Sequence, residues 1–183
     1  MALMETPPGA MGWQLPSFEL STPQRQPYSA QDAMGSNGLV VAFICNHCPY
    51  VVAVAQRMAS DFADLQAMGV GVLAINANDY RAYPADSPQR MIAFAETYGF
   101  TFPYLLDEDQ SVAQSFDAVC TPDFFCFNAA GTLQYRGRLD DARMGPANDR
   151  TRELFDAMVQ IADTGLGPPQ QWPSMGCSIK WRA

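Results

Sequence analysis

The sequence predicts an α/β fold: a mixed central β-sheet with helices on both faces, carrying an N-terminal β extension and a C-terminal tail. Three observations lead there. Short apolar runs at 39–44 (LVVAFI), 70–76 (VGVLAIN), 102–106 (FPYLL) and 123–127 (DFFCF) are bounded by turn or polar residues, the pattern of strands buried on both faces. Amphipathic helical patterns separate them. The stretch 123–138 breaks the alternation, because DFFCF, NAAG and TLQYRGR read as two strands joined by a turn, hence an antiparallel hairpin. Strands alternating with helices, then a hairpin and a last helix, require parallel and antiparallel neighbours in one sheet.

Taken in order, residues 1–18 (MALMETPPGAMGWQLPSF) form an extension with little periodicity. They hold no Lys or Arg and no apolar run long enough for a signal segment, so no secretory leader is expected. LVVAFIC at 39–45 is the longest strongly apolar run, far below the ~20 residues of a membrane helix. Val51, Ala55, Met58, Phe62 and Leu65 recur at helical steps and place a helix over 49–67, stopped by Gly69. Pro88 opens a second helix marked by Met91, Ala95 and Tyr98. Val112, Ala113 and Phe116 mark a shorter third, and Leu154, Met158 and Ile161 a fourth after the hairpin. The domain therefore runs over 19–164, and 165–183 (GLGPPQQWPSMGCSIKWRA) is a Pro- and Gly-rich tail.

At 183 residues and 48% hydrophobic the chain supports one domain with a sizeable core. Its formal net charge of −8, with no basic run, excludes an electrostatic footprint for nucleic acid or an anionic membrane. A soluble, cytoplasmic protein is expected, with small molecules or proteins as partners. In that reducing compartment five cysteines read as reduced, catalytic or metal-binding rather than as a disulfide framework.

In FICNHCPY at 43–50, Cys45 and Cys48 bracket His47, the only histidine, and Pro49 follows directly. A C-x-x-C between a buried strand and the first turn of a helix brings two sulfurs within bonding distance. The helix N-terminus adds unpaired N–H groups and partial positive charge that stabilise a thiolate. Cys45 is expected nearer the solvent and attacks a partner disulfide; Cys48, further into the helix, resolves the mixed disulfide. A protonated His47 would stabilise the Cys45 thiolate and strengthen the disulfide as an oxidant. Asn46 would cap the helix or bond the sulfur, and Pro49 suits an early helical position. Two alternatives stay open: two buried thiols close by chance, and a metal site built on Cys45, Cys48 and Cys120. Zinc ordinarily takes four ligands, often in two spaced pairs, and there is no second C-x-x-C.

A second signal is CTPDFF at 120–125. Thr121 and Pro122 at a strand entrance are expected to face the C-x-x-C across a substrate groove, with a cis Thr121–Pro122 bond that leaves the preceding backbone free to pair with a bound peptide.

FICNHCPY, CTPDFF, YRGRLDD and GCSIKW together resemble a thioredoxin-like, peroxiredoxin-related family, the redoxin or AhpC/TSA-type proteins with a C-x-x-C. The resemblance covers residues 15–182. It implies a thioredoxin-like fold with an N-terminal β extension, an antioxidant or oxidoreductase role through a redox-active disulfide, and no cofactor. It also implies a protein-disulfide, small-thiol or peroxide substrate and a reductant such as a thioredoxin or glutathione system. In such proteins Cys48 falls where a peroxiredoxin carries its peroxidatic cysteine, Cys45 where it carries a threonine, and Pro122 near its arginine. Dithiol–disulfide exchange is thus favoured over peroxide reduction. Val52 departs from the lysine that related sequences carry and removes one positive charge.

Cys120 and Cys177 are candidate auxiliary thiols. The bland alternatives are that Cys120 is a small buried hydrophobe, and that Ile179 and Trp181 pin the tail while Cys177 packs beneath it. Cys126 reads as core. Arg136, Arg138, Asp140 and Asp141 suggest an ion-pair network beside the groove, and Asp107, Glu108 and Asp109 suggest helix-start chemistry. A noncatalytic interaction domain of the same fold is the remaining alternative.

Overall fold

The computed structural model describes residues 3–183. Strand β4 (Leu39–Phe43) is its centre, because every one of its five residues is buried. Alternate side chains leave opposite faces of a strand. Val40 and Ala42 therefore enter one apolar cluster, while Leu39, Val41 and Phe43 enter the other. A strand buried on both faces needs covering layers on both, and the surrounding elements supply them.

In chain order these elements are β1 (Leu3–Glu5), β2 (Glu19–Ser21), β3 (Pro27–Ser29), α1 (Ala30–Ala33), β4, α2 (Pro49–Ala67), β5 (Gly71–Asn76), a 3-10 turn (Pro84–Asp86), α3 (Pro88–Tyr98), β6 (Tyr104–Leu106), α4 (Ser111–Ser115), β7 (Cys120–Thr121), β8 (Asp123–Phe127), β9 (Leu133–Gly137), α5 (Glu153–Thr164) and β10 (Met175–Ser178). The main sheet has the order β3-β2-β6-β5-β4-β8-β9. β4, β5 and β6 run parallel, whereas β8 is antiparallel to β4 and β9 to β8. The predicted mixed sheet and hairpin are both present.

α2, α3 and α5 cover one face through Val51, Met58, Phe62, Met91, Leu154 and Met158. The other face is closed by α4, by Ala33 of α1 and by Trp13, Phe18 and Leu20 of the N-terminal segment. There Phe116 meets Trp13, Phe43 and Phe125 edge-on at ring-centroid distances of 5.3, 5.2 and 5.2 Å. Burying each such ring contributes about 1.5–3 kcal/mol. Helix α2 ends at Ala67, and Gly69 then takes φ 77°, as the sequence predicts.

The two chain ends dock on the domain, and the N-terminal extension holds a β-strand as expected. β1 and β10 pair antiparallel, and β10 also pairs with β7, giving a second sheet of order β1-β10-β7. The tail is therefore a strand packed against the domain. Ile179 is buried, but Trp181 is 43% exposed and does not pin it. Backbone bonds beyond β10 do so: Lys180 N–H donates to Asn78 Oδ1 (2.9 Å), Arg182 N–H to Gln110 Oε1 (2.8 Å) and Asp79 N–H to the Lys180 carbonyl (2.9 Å).

Arg136, Arg138 and Asp140 are ion-paired, each with a partner outside that group, while Asp141 bonds Thr151. Arg136 holds buried Asp123 at 2.8 Å, Arg138 holds Glu153 at 2.6 Å, and Asp140 accepts from Arg57 and Arg150 at 2.6 and 3.2 Å. Asp61, buried in α2, binds Arg150 and Arg152, so these pairs fasten the loop before α5 to α2. Asp107 accepts from the Ala113 N–H at 2.7 Å and Asp109 from the Ser111 N–H at 3.0 Å at the start of α4, while exposed Glu108 turns to Arg81.

Candidate functional site

The chain leaves β4 at Ile44, whose N–H still donates to the Ile75 carbonyl at 2.9 Å, and turns through Cys45, Asn46 and His47 into α2. Cys48 is the N-cap of α2 and Pro49 its first residue. A proline there loses no hydrogen bond, since the first turn has unpaired N–H groups in any case. The two sulfurs are buried alike, with Cys45 1% and Cys48 0% exposed. The expected placement of Cys45 nearer the solvent is therefore incorrect, and so is that of Cys48 further inside the helix. Because the helix begins after Cys48, that cysteine and not Cys45 stands at the positive end of the helix.

Asp86, fully buried at the end of the 3-10 turn, organises the loop. Its Oδ1 accepts from the Asn46 N–H (2.8 Å), and its Oδ2 accepts from Asn78 Nδ2 (2.8 Å) and lies 2.7 Å from His47 Nδ1. The His47 ring lies parallel to that of Tyr83, 5.8 Å between centroids. Any positive charge on His47 is thus paired with a carboxylate rather than offered to Cys45 alone. Asn46 neither caps the helix nor bonds a sulfur, as had been expected. Its side chain donates to the Ala85 carbonyl (3.0 Å) and accepts from the Tyr104 hydroxyl (3.0 Å), because the loop turns it toward α3.

Thr121 and Pro122 face the two cysteines, and the bond between them is cis, as the sequence predicts. Thr121 touches both sulfurs. Its Oγ1 lies 3.3 Å from Cys45 Sγ and its carbonyl oxygen 3.1 Å from Cys48 Sγ. The expected groove is not open along the β7 edge, because β10 already pairs there, with Cys177 opposite Thr121. A cavity of ≈ 40 Å³ bordered by Tyr50, Val54, Pro122 and Met175 remains beside it, with room for a few water molecules and none for a peptide.

The electrostatics separate the sulfurs. A hydrogen bond from the Cys45 thiol, with further ones from the Cys177 thiol, the Cys177 N–H and the Val51 N–H, pulls Cys48 down to about 4 against its desolvation. Cys45 moves well upward, first because it donates to Cys48, then by burial and the nearby Asp86 charge. Cys177 is pushed up to about 12 by burial and by its bond to Cys48. The Thr121 carbonyl oxygen opposes a Cys48 thiolate, since an acceptor suits a thiol there. Several donors surround Cys48 against one acceptor, an arrangement that lowers Cys48 relative to Cys45.

Cys177 is thus brought to the pair, whereas Cys120 is not. Cys120 is fully buried, its sulfur lies 3.7 Å from the Pro122 carbonyl oxygen, and burial drives its thiol far up. Cys126 is core, as the sequence implies. The metal set Cys45, Cys48 and Cys120 does not form. Among the described residues the group of donor atoms within 4.8 Å is Cys45, His47 and Asp86, and the His47–Asp86 hydrogen bond accounts for most of that closeness. Sequence reading missed Asp86. Asp86 sits in an irregular PADSP stretch with no periodicity to betray burial.

The AhpC/TSA family matches residues 11–136. Thioredoxin-like protein YneN of Bacillus subtilis (strain 168) is 28% identical over 125 residues, 67% of this chain and 68% of its own. An uncharacterized conserved protein of Geobacillus kaustophilus superimposes with a TM-score of 0.93 at 39% identity, covering 100% of this chain and 97% of its own. A secreted Mycobacterium tuberculosis disulfide oxidoreductase homologous to E. coli DsbE has a TM-score of 0.55 at 20% identity, covering 64% and 80%, and shares the fold. With its mixed sheet, its C-x-x-C at the start of a helix and the match over most of its length, the chain has a thioredoxin-like fold and belongs to the AhpC/TSA family.

Proposed function

We propose that the protein is a thiol–disulfide oxidoreductase working through Cys45 and Cys48. The observation that carries this reading is the pair itself: two buried cysteines of a C-x-x-C whose sulfurs both touch Thr121, Cys45 at 3.3 Å and Cys48 at 3.1 Å, with Cys48 drawn down chiefly by the Cys45 thiol and Cys45 pushed up. The roles differ from those expected on sequence. The Cys48 thiolate attacks one sulfur of a partner disulfide, forming a mixed disulfide and expelling the other partner sulfur as a thiolate. Cys45 then gives its proton to that leaving thiolate and attacks Cys48. The partner leaves with two reduced sulfurs, and the Cys45–Cys48 disulfide holds the two oxidising equivalents. A thioredoxin or glutathione system would restore the dithiol. We place the protein in the cytoplasm, a reading supported by five cysteines that an internal disulfide framework cannot all pair.

The test is equilibration with graded dithiothreitol or glutathione ratios, thiol trapping and disulfide mapping. A two-electron transition that forms the Cys45–Cys48 disulfide, between about −270 and about −120 mV, is expected. Absence of that disulfide under oxidation refutes the reading.

The lowering of Cys48 also favours a second reading, a thiol peroxidase with Cys48 peroxidatic and Cys45 resolving. Pro122, in the place of the arginine, weighs against it. Peroxide consumption no faster than that of a free thiol would remove it.

A further inference from the structure

Strand β10 lies where an extended peptide would add to the β7 edge, and it brings a cysteine. Cys177 pairs in register with Thr121, the residue whose side chain and carbonyl oxygen touch the two sulfurs of the site. From that position Cys177 joins Cys45 and Cys48 in one buried cluster, and the Thr121 carbonyl oxygen beside it lies 3.1 Å from Cys48 Sγ. The approach depends on Gly176, since a Cβ there would fall 1.9 Å from the Thr121 carbonyl oxygen and 3.1 Å from Pro122 Cδ. Contacts of that kind would lift the strand, so the Gly-Cys pair is what lets β10 seat against the turn.

The strand is also held at both ends. Ser174 Oγ donates to the Pro122 carbonyl (2.7 Å) and Ser174 N–H to Thr6 Oγ1 (3.0 Å). Ile179 N–H donates to the Val119 carbonyl (3.2 Å), and Lys180 N–H to Asn78 Oδ1 (2.9 Å). A tail so fixed presents its thiol as a bound substrate would, without the large swing that a free resolving arm needs.

We propose that β10 is a built-in substrate strand and that Cys177 exchanges disulfides with Cys48, so that Cys48 has two intramolecular partners. The inference rests on the reading of Cys45 and Cys48 as a working pair. Starting from the Cys45–Cys48 disulfide, the Cys177 sulfur attacks Cys48 Sγ. The Cys48–Cys177 bond forms and the Cys45–Cys48 bond breaks. Cys45 leaves as a thiolate and takes up the proton that Cys177 released. There is no net oxidation, and the step needs no further reactant. By the same geometry Cys177 resolves a mixed disulfide on Cys48 when Cys45 is absent.

The experiment oxidises the reduced full-length chain with one equivalent of diamide, quenches in acid, alkylates and maps the disulfides by mass spectrometry. Wild type is expected to contain both Cys45–Cys48 and Cys48–Cys177. Cys45→Ser is expected to give Cys48–Cys177 as its main product, and Cys177→Ser only Cys45–Cys48. If wild type forms Cys45–Cys48 alone and Cys45→Ser leaves Cys177 alkylated, the proposal falls while the proposed function stands. If wild type forms no disulfide at Cys48, the underlying reading falls with it. Should Cys45→Ser not fold, the wild-type map decides: a Cys48–Cys177 fraction supports the proposal, and Cys45–Cys48 alone overturns it.

Discussion

Replacing Asp86 by asparagine changes one oxygen for an NH₂ group at a fully buried position. Wild-type Asp86 accepts from the Asn46 N–H at 2.8 Å on Oδ1 and from Asn78 Nδ2 at 2.8 Å on Oδ2. If the new amide keeps its oxygen toward Asn46, its NH₂ faces the NH₂ of Asn78. Asn78 cannot turn its own oxygen inward without losing the Lys180 N–H that anchors the tail at 2.9 Å. In the opposite orientation the new NH₂ meets the Asn46 N–H. One donor therefore faces another in both cases. The loss of a charged acceptor costs about 1.5–3 kcal/mol and a stranded buried donor about 1–3 kcal/mol, together about 2.5–6 kcal/mol. At about 2–4 °C per kcal/mol for a chain of this size, the expected fall in Tm is about 5–24 °C. Thermal unfolding of the reduced protein, followed by circular dichroism, measures it. A fall below about 2 °C would show that Asp86 does not hold the Cys45–Cys48 loop and would refute the hydrogen-bond argument.

Two further outcomes are expected. Cys48 falls from 9.0 to about 4 on folding, so the unfolded chain binds the extra proton between these values and the reduced protein gains stability as pH rises from about 4 toward 9. Asp107 and Asp123, both pushed up to about 6 by burial, act with the opposite sign as pH rises through that value. The check is therefore the difference between wild type and Cys48→Ser in denaturant unfolding, together with thiolate absorbance that persists to acid pH in wild type and is lost in the variant; a flat difference contradicts the assignment. Gly176→Val places a branched side chain against the Thr121 carbonyl oxygen. It should cost about 1–3 kcal/mol and speed amide exchange at Cys177 and Ser178, and unchanged exchange there would mean that β10 does not depend on the close approach.

Much of the architecture is legible in the chain itself. LVVAFI, VGVLAIN and DFFCF specify doubly buried strands because burial on both faces removes alternation, a local signal that needs no partner. Helix α2 is readable from its stripe and from Pro49. The C-x-x-C between strand and helix, and the Thr121–Pro122 turn opposite it, also follow from short motifs. Their chemistry was less legible. Asn46 looks like a capping residue until the loop turns it toward Tyr104, and Cys45 looks like the sulfur at the helix start until α2 begins after Cys48 and the 3-10 turn brings Asp86 beside Cys45.

The sequence by itself determined the five central strands, the helices α2 to α5 and the pair of thiols, since each rests on periodicity or on residues a few positions apart; the three-residue strands β2 and β3 and the short α1 carry no such signal. Only the tertiary structure decided which groups surround each thiol and what lies over them. β7 and β10 are two and four residues long, too short to announce themselves by pattern, and they exist as strands because each finds the other across the fold. The charge, the donors and the third sulfur that act on Cys48 arrive from elements distant in the chain, and an electric field depends on where groups stand in space, not on their order in sequence.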